Sequence, residues 1–168
     1  FYNQKMKKKF FKLTFLILLI HLVSCTGYKP IYSSSNLRIE IADYTINGNK
    51  RLGNQLYSKL YNLDQSTKNK NSRESINVLI KIKKNKDATV KSNTGKILEY
   101  KISLNSNIEI KNYLNNEIIL NYNKNSYSSY SVQDQFSETL KLENRAIENL
   151  INKIYQDLII AMSEKMLK

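Results

Sequence analysis

Leu98-Glu99-Tyr100-Lys101-Ile102-Ser103-Leu104-Asn105-Ser106-Asn107-Ile108-Glu109-Ile110-Lys111 is the stretch that decides how this chain folds. Its even positions are apolar, with Ser106 the one exception, and its odd positions are polar or charged. Side chains on an extended strand point alternately to opposite faces, so this pattern is a β-strand with one face on a core and the other in water. Downstream, Asn115-Asn116 offers a turn, and Ile118, Leu120 and Tyr122 read as the returning strand of a hairpin. Asn123 to Ser131 is rich in Ser, Asn and Tyr and carries no clear period.

Upstream, Ile76, Val78, Ile80 and Ile82 alternate with Asn77 and Lys81, a second strand of the same kind. Between the two, Lys83 to Lys96 reads as a basic, polar loop with Gly95 near its end. Leu37 to Ile46 is a further strand in which the apolar phase switches from Leu37, Ile39 and Ile41 to Ala42, Tyr44 and Ile46. Such a switch marks a bulge or a strand end covered on both faces. Asn47-Gly48-Asn49 ends it and can cap a helix. Lys50 to Leu63 follows with Leu52, Leu56, Leu60 and Leu63 at helical spacing, and Asp64 to Ser72 is polar throughout, a loop.

From about Val132 to Leu167 the period is helical, with Phe136, Leu140, Ile147, Ile151, Ile154, Leu158 and Met162 forming the stripe. At 1.5 Å per residue such an element reaches about 50 Å. A start near Leu142, after an extended segment, fits the pattern as well. The order is strand, helix, strand, strand, strand, helix. Two helices with one apolar face each need one sheet face to cover. The expected fold is therefore α+β, a two-layer sandwich with two helices on one face of a four-stranded, mostly antiparallel sheet.

The N-terminal end has a different character. Lys5 to Lys12 carries five lysines and no acid, and Leu13 to Val23 is apolar except for Thr14 and His21. A membrane-spanning helix needs about 20 apolar residues, so this run is a leader rather than a span. It ends in Leu22-Val23-Ser24-Cys25, the pattern of a bacterial lipoprotein signal, in which the cysteine becomes the first mature residue and carries covalent acyl lipid. The expected organisation is a signal peptide over 1–24, a lipidated tether over 25–36 containing Pro30 and Ser33 to Ser35, and one domain over 37–168. Met6 opens a cleaner leader than Phe1, which makes residues 1–5 an expected upstream addition.

Removing the leader's five lysines from 27 Lys+Arg leaves 22 against 14 Asp+Glu, a mature net charge of +8. Two readings of that charge stand side by side. Heavy use of Lys, Asn, Ile and Tyr follows from AT-rich codons, and a basic surface attracts an anionic partner such as membrane headgroups or a phosphorylated glycolipid. Export removes nucleic acid from that set. Cys25 is the only cysteine, His21 the only histidine, and there is no tryptophan. A mature chain without His or a free thiol has no Cys/His metal site, no Ser-His-Asp triad and no Cys-His dyad. No cofactor beyond the Cys25 lipid is expected. A carboxylate-only hydrolase stays open, but no pair of acids is singled out by spacing.

After the cysteine comes Gly27-Tyr28-Lys29-Pro30-Ile31-Tyr32. It resembles the Cys-Gly-Phe-Arg-Pro-Leu-Tyr opening of the LPS-assembly lipoproteins of the LptE (RlpB) family, with Thr26 inserted. Arg51-Leu52-Gly53-Asn54-Gln55-Leu56 with Leu60 is similar to that family's first helix. Asn144-Arg145-Ala146 leading into Leu150, Ile154 and Leu158 is similar to its last. The resemblance implies a non-enzymatic lipoprotein in the periplasmic leaflet of the outer membrane, held there by lipid on Cys25. It implies a plug and assembly partner for the β-barrel LptD that binds lipopolysaccharide on its way to the cell surface. Lipid A phosphates attract Lys and Arg. The densest basic segment holds Lys83, Lys84, Lys86 and Lys91, with Lys124 added as a weaker member. These are the candidate lipopolysaccharide-binding residues, and a merely solvated lysine loop is the plain alternative. A different class of reading is an accessory outer-membrane lipoprotein, for barrel assembly or envelope scaffolding, that binds no lipopolysaccharide.

Overall fold

The alternating stretch Leu98–Lys111 lies within β3 (Ile97–Asn112), and its even side chains from Ile102 to Ile110 are buried, Ser106 among them. A computed structural model describes residues 37–67 and 73–166. The expected leader 1–24, Cys25 and the tether 25–36 lie outside the described residues, as do 68–72 of the expected Asp64–Ser72 loop. The elements run β1 (Ile39–Gly48), α1 (Lys50–Thr67), β2 (Glu74–Lys91), β3, β4 (Ile118–Ser131) and α2 (Phe136–Met166). The fold is α+β, in the expected order. The sheet has four strands in the order β1-β2-β3-β4, with β1 parallel to β2 and the other neighbours antiparallel.

Each boundary has a local cause. The phase switch in β1 is a break in register between Ile41 and Asp43. Before it, Leu37 and Ile39 are buried; after it, Tyr44 and Ile46 take over the helix side. Gly48 stands at φ 76° against the carbonyl of Ile82, where a Cβ would collide with backbone, so the chain turns there only as glycine. Asn49 then caps α1, its side-chain Oδ1 accepting from Leu52 N at 3.1 Å. Leu52, Leu56, Leu60 and Leu63 are all buried, as their spacing requires. Gly53, one turn in, sits against the Cγ2 of Ile46, and this lets α1 approach β1 closely.

The helix runs one turn past Leu63, to Thr67, because buried Asp64 is held by an ion pair with Arg73. Arg73 also donates from Nε (3.0 Å) and Nη2 (2.8 Å) to the carbonyl of Ile39, tying the end of α1 to the start of β1. The β3–β4 turn is built from asparagine. Asn112 Oδ1 accepts from Leu114 N at 2.9 Å, Asn115 Oδ1 accepts from Glu117 N at 3.0 Å, and Asn116 adopts φ 58°.

The long helix begins at Phe136, which settles the region 131–142 as strand to Ser131, a short link and then helix. Phe136 is 80% exposed and Leu140 44% exposed, contrary to their place on the expected stripe. In the first turns of α2 the inward residue is Thr139, whose Oγ1 accepts from Gln133 N at 2.8 Å. Farther along, Ile147, Ile151, Ile154, Leu158 and Met162 are buried as expected. α1 packs over β1 and β2, α2 over β4 and β3, and the helices touch each other. The core is the apolar layer between them and the sheet.

Candidate functional site

Lys83 to Lys96 is not a loop. β2 continues to Lys91, and only residues 92–96 turn back into β3. The strand persists because its backbone pairs with β3 along this length, Lys83 opposite Asn105, Lys86 opposite Ile102 and Lys91 opposite Ile97. Strand geometry therefore divides the predicted basic set. Lys84 and Lys86 point to the helix side and Lys83 to the open side, while Lys91 is exposed beyond a register break at the strand's end. Lys124, on β4 opposite Ser106, leans toward α2 and lies 3.6 Å from Asp157. The five lysines do not form one patch.

Two of them meet a residue that the sequence did not single out. Glu143 of α2 accepts from Lys84 Nζ at 3.2 Å, from Lys86 Nζ at 2.7 Å and from the Tyr130 hydroxyl at 2.9 Å. Lys86 Nζ also lies 4.2 Å from the centre of the Tyr100 ring and 5.6 Å from that of Tyr130. The two rings stack at 5.9 Å. Burial pushes the Glu143 carboxyl up, but hydrogen bonds from Lys86, Tyr130 and Lys84 outweigh it and hold the group at about 2. Burial pushes Lys86 down, and its bonds to Glu143 and Tyr130 reverse this and raise it. A carboxylate fixed in its ionised form is no proton shuttle near neutrality. This cluster clasps α2 to the far end of the sheet. Its signal was hidden because Glu143 is 57 residues from Lys86 along the chain.

The other face of the sheet is polar and lies away from both helices. Odd positions of β3 and β4 meet across it, Asn105 opposite Asn125, Asn107 opposite Asn123 and Glu109 opposite Asn121. Their amides bond laterally, Asn107 Nδ2 to Asn123 Oδ1 at 2.5 Å and Asn123 Nδ2 to Asn121 Oδ1 at 3.0 Å. A groove of about 570 Å³ follows this face over Lys81, Lys83, Asn105, Asn107, Asn123 and Asn125, and Lys124 also lines it. Neither Lys81 nor Lys83 has an acid within ion-pair distance among the described residues. Nearby, the Oδ1 of Asn77 is buried with no hydrogen-bond partner. The surface is flat, amide-rich and cationic at one end, with unused donors and acceptors for a polar partner. Among the described residues no group of acids, His or Cys is placed to hold a metal, and no helix is long and apolar enough to cross a membrane.

No model of a known protein family matches the chain, and no curated protein matches it. Solved structures do. A protein from Caulobacter crescentus CB15 assigned to the lipoproteins superposes with a TM-score of 0.54 at 10% identity, over 80% of this chain and 91% of that one. Rare lipoprotein B from Shewanella oneidensis gives 0.51 at 10% identity, over 74% of this chain and 96% of that one. A minor lipoprotein from Acinetobacter baumannii gives 0.51 at 15% identity, over 76% and 95%. The chain shares their fold. At such identities the likeness is one of architecture, and it agrees with the α+β fold expected from the sequence.

Proposed function

We propose that this chain is an outer-membrane lipoprotein of the lipopolysaccharide translocon. Lipid on Cys25 anchors it in the periplasmic leaflet, and the domain serves as plug and assembly partner of the LptD β-barrel. It binds lipopolysaccharide and performs no catalysis. One observation carries the reading: in a fold shared with rare lipoprotein B, one whole sheet face is left polar and open. The luminal wall of a large barrel is polar, and asparagine amides and lysines suit a wet contact with it. For the glycolipid, the geometry favours a revised set. Lys83 stays, Lys81 joins it in the groove that Lys124 also lines, and Lys84 and Lys86 are already engaged by Glu143.

The test is co-expression of the chain, tagged at its C-terminus, with the large outer-membrane barrel of the same genome. A one-to-one complex that survives detergent supports the reading. A lipidated, folded protein that never retains the barrel overturns it. The engagement of two of the five predicted lysines by Glu143 favours a second reading, an accessory lipoprotein for barrel assembly or envelope scaffolding without lipopolysaccharide binding. The two part on whether the purified protein binds lipopolysaccharide.

A further inference from the structure

The β3–β4 turn breaks the usual chemistry of turns. Turn tips are normally polar, yet this one carries Leu114 at 85% exposure, flanked by Tyr113 and Ile118, each half or more exposed. Leu114 and Tyr113 adjoin in the chain, and Ile118 stands across the turn after Asn115, Asn116 and Glu117. They are held in place by the Asn112 and Asn115 side-chain bonds and by Tyr113 N donating to the carbonyl of Ser75 at 2.9 Å. An ordered backbone that holds a leucine out in solvent presents it to something.

The position of this tip says to what. One residue before Ser75, Glu74 N donates to the carbonyl of Arg38 at 2.9 Å, so the tip lies at the same end of the sheet as the point where the chain arrives at Leu37. Two strand spacings separate them, about 10 Å. Cys25 precedes Leu37 by 12 residues.

We infer that the Tyr113–Ile118 hairpin tip is a membrane-contact element: Leu114 and Ile118 enter the interface of the bilayer that holds the lipid anchor, and Tyr113 sits at headgroup level. Tyrosine suits that level because its ring is apolar and its hydroxyl is wet. The lipid then holds the chain at the membrane, and the hairpin adds a second contact with the same bilayer. This inference rests on the lipid-anchor part of the proposed function.

The chain has no tryptophan, so one introduced tryptophan reports alone. The full lipidated chain carrying Leu114→Trp is placed in phosphatidylethanolamine–phosphatidylglycerol vesicles containing lipids brominated on their acyl chains. Tyr127→Trp, at 71% exposure on the open sheet face, is the control. Acyl mass on Cys25 and vesicle flotation are read on the same samples. The expected result is a blue-shifted, bromine-quenched emission for Leu114→Trp and a water-like, unquenched one for Tyr127→Trp. A chain that carries its acyl mass and floats, with Leu114→Trp unquenched, overturns the inference and leaves the anchor standing. A blue shift without quenching points to a second copy of the chain on the tip and also overturns it. A chain without acyl mass that does not float overturns both.

Discussion

Lys86 Nζ and a carboxylate oxygen of Glu143 lie 2.7 Å apart, joining the last third of β2 to the first third of α2. Around them Lys84 and Tyr130 complete the carboxylate's bonds, so this end of the sandwich is closed by charge where the other parts are closed by leucine and isoleucine.

Glu143→Gln keeps the shape and removes the charge, leaving Lys84 and Lys86 against a neutral amide. The side chains are partly exposed, which softens the loss relative to a fully buried pair. The expected cost is about 1–3 kcal/mol, read as a lower urea midpoint at unchanged slope. The pH dependence follows from the lowered carboxyl. From its ordinary 4.5 down to about 2, the unfolded chain holds the Glu143 proton more tightly than the folded one. Stability therefore rises with pH through that window, is complete above it, and is lost as pH falls toward 2. The gap between the native protein and Glu143→Gln closes over the same range; a gap that stays constant to pH 2 contradicts the assignment.

Tyr122 gives the opposite case. Burial, and then Asp157, push its hydroxyl up to about 12. The folded protein therefore holds this proton more tightly between pH 10 and 12, and the associated stability is present below pH 10 and lost as pH rises through 12. Its hydroxyl oxygen is buried without a partner. Tyr122→Phe is expected to leave stability at pH 7 unchanged or raise it by up to about 1 kcal/mol, and to remove the alkaline loss in thermal unfolding followed by circular dichroism.

Gly53→Ala is expected to cost about 1–3 kcal/mol, since its new methyl meets the Cγ2 of Ile46 across the α1–β1 contact. Ile46→Ala removes that Cγ2. Combined, the two substitutions should cost less than the sum of their separate costs, and a double-mutant cycle in urea measures the coupling. Additive costs would falsify the close approach of α1 to β1.

Lys81→Ser with Lys83→Ser should weaken lipopolysaccharide binding roughly tenfold, the loss of about one charged hydrogen bond, with little change in the melting temperature. Lys84→Ser with Lys86→Ser should show the reverse pattern, a lower melting temperature and nearly unchanged binding. Titration with fluorescent lipopolysaccharide beside thermal melts separates the two. If both pairs lose binding equally, the groove is not the site.

The parts of the fold legible in the sequence are those where one face is apolar. Leu98–Lys111, Ile76–Ile82 and the Leu52–Leu63 stripe announce themselves because water and core select different residues on their two sides. Even the Ile41–Asp43 bulge shows as a change of phase. The second half of β2 did not, because its inward positions are Lys84 and Lys86, and the group that makes lysine acceptable there is Glu143, far along the chain. The far part of β4 was silent for a similar reason, since Ser126 and Tyr130 turn inward between outward Asn, Tyr and Ser. Phe136 and Leu140 mislead in the other direction: they keep the helical period, but the residue that turns inward there is Thr139. As for the site, a cluster of basic residues was visible, but its division between two faces was not. That division depends on the strand continuing, which is a property of β3 as much as of β2.

The parallel pairing of β1 with β2 also orders the folding of the chain. β2, β3 and β4 form a meander of neighbours in sequence, whereas β1 reaches β2 only after α1 has been laid between them. Pairings of low contact order cost less loop closure, so β1 is expected to dock onto a hairpin sheet that already exists. The N-terminal strand is the first made and the last secured.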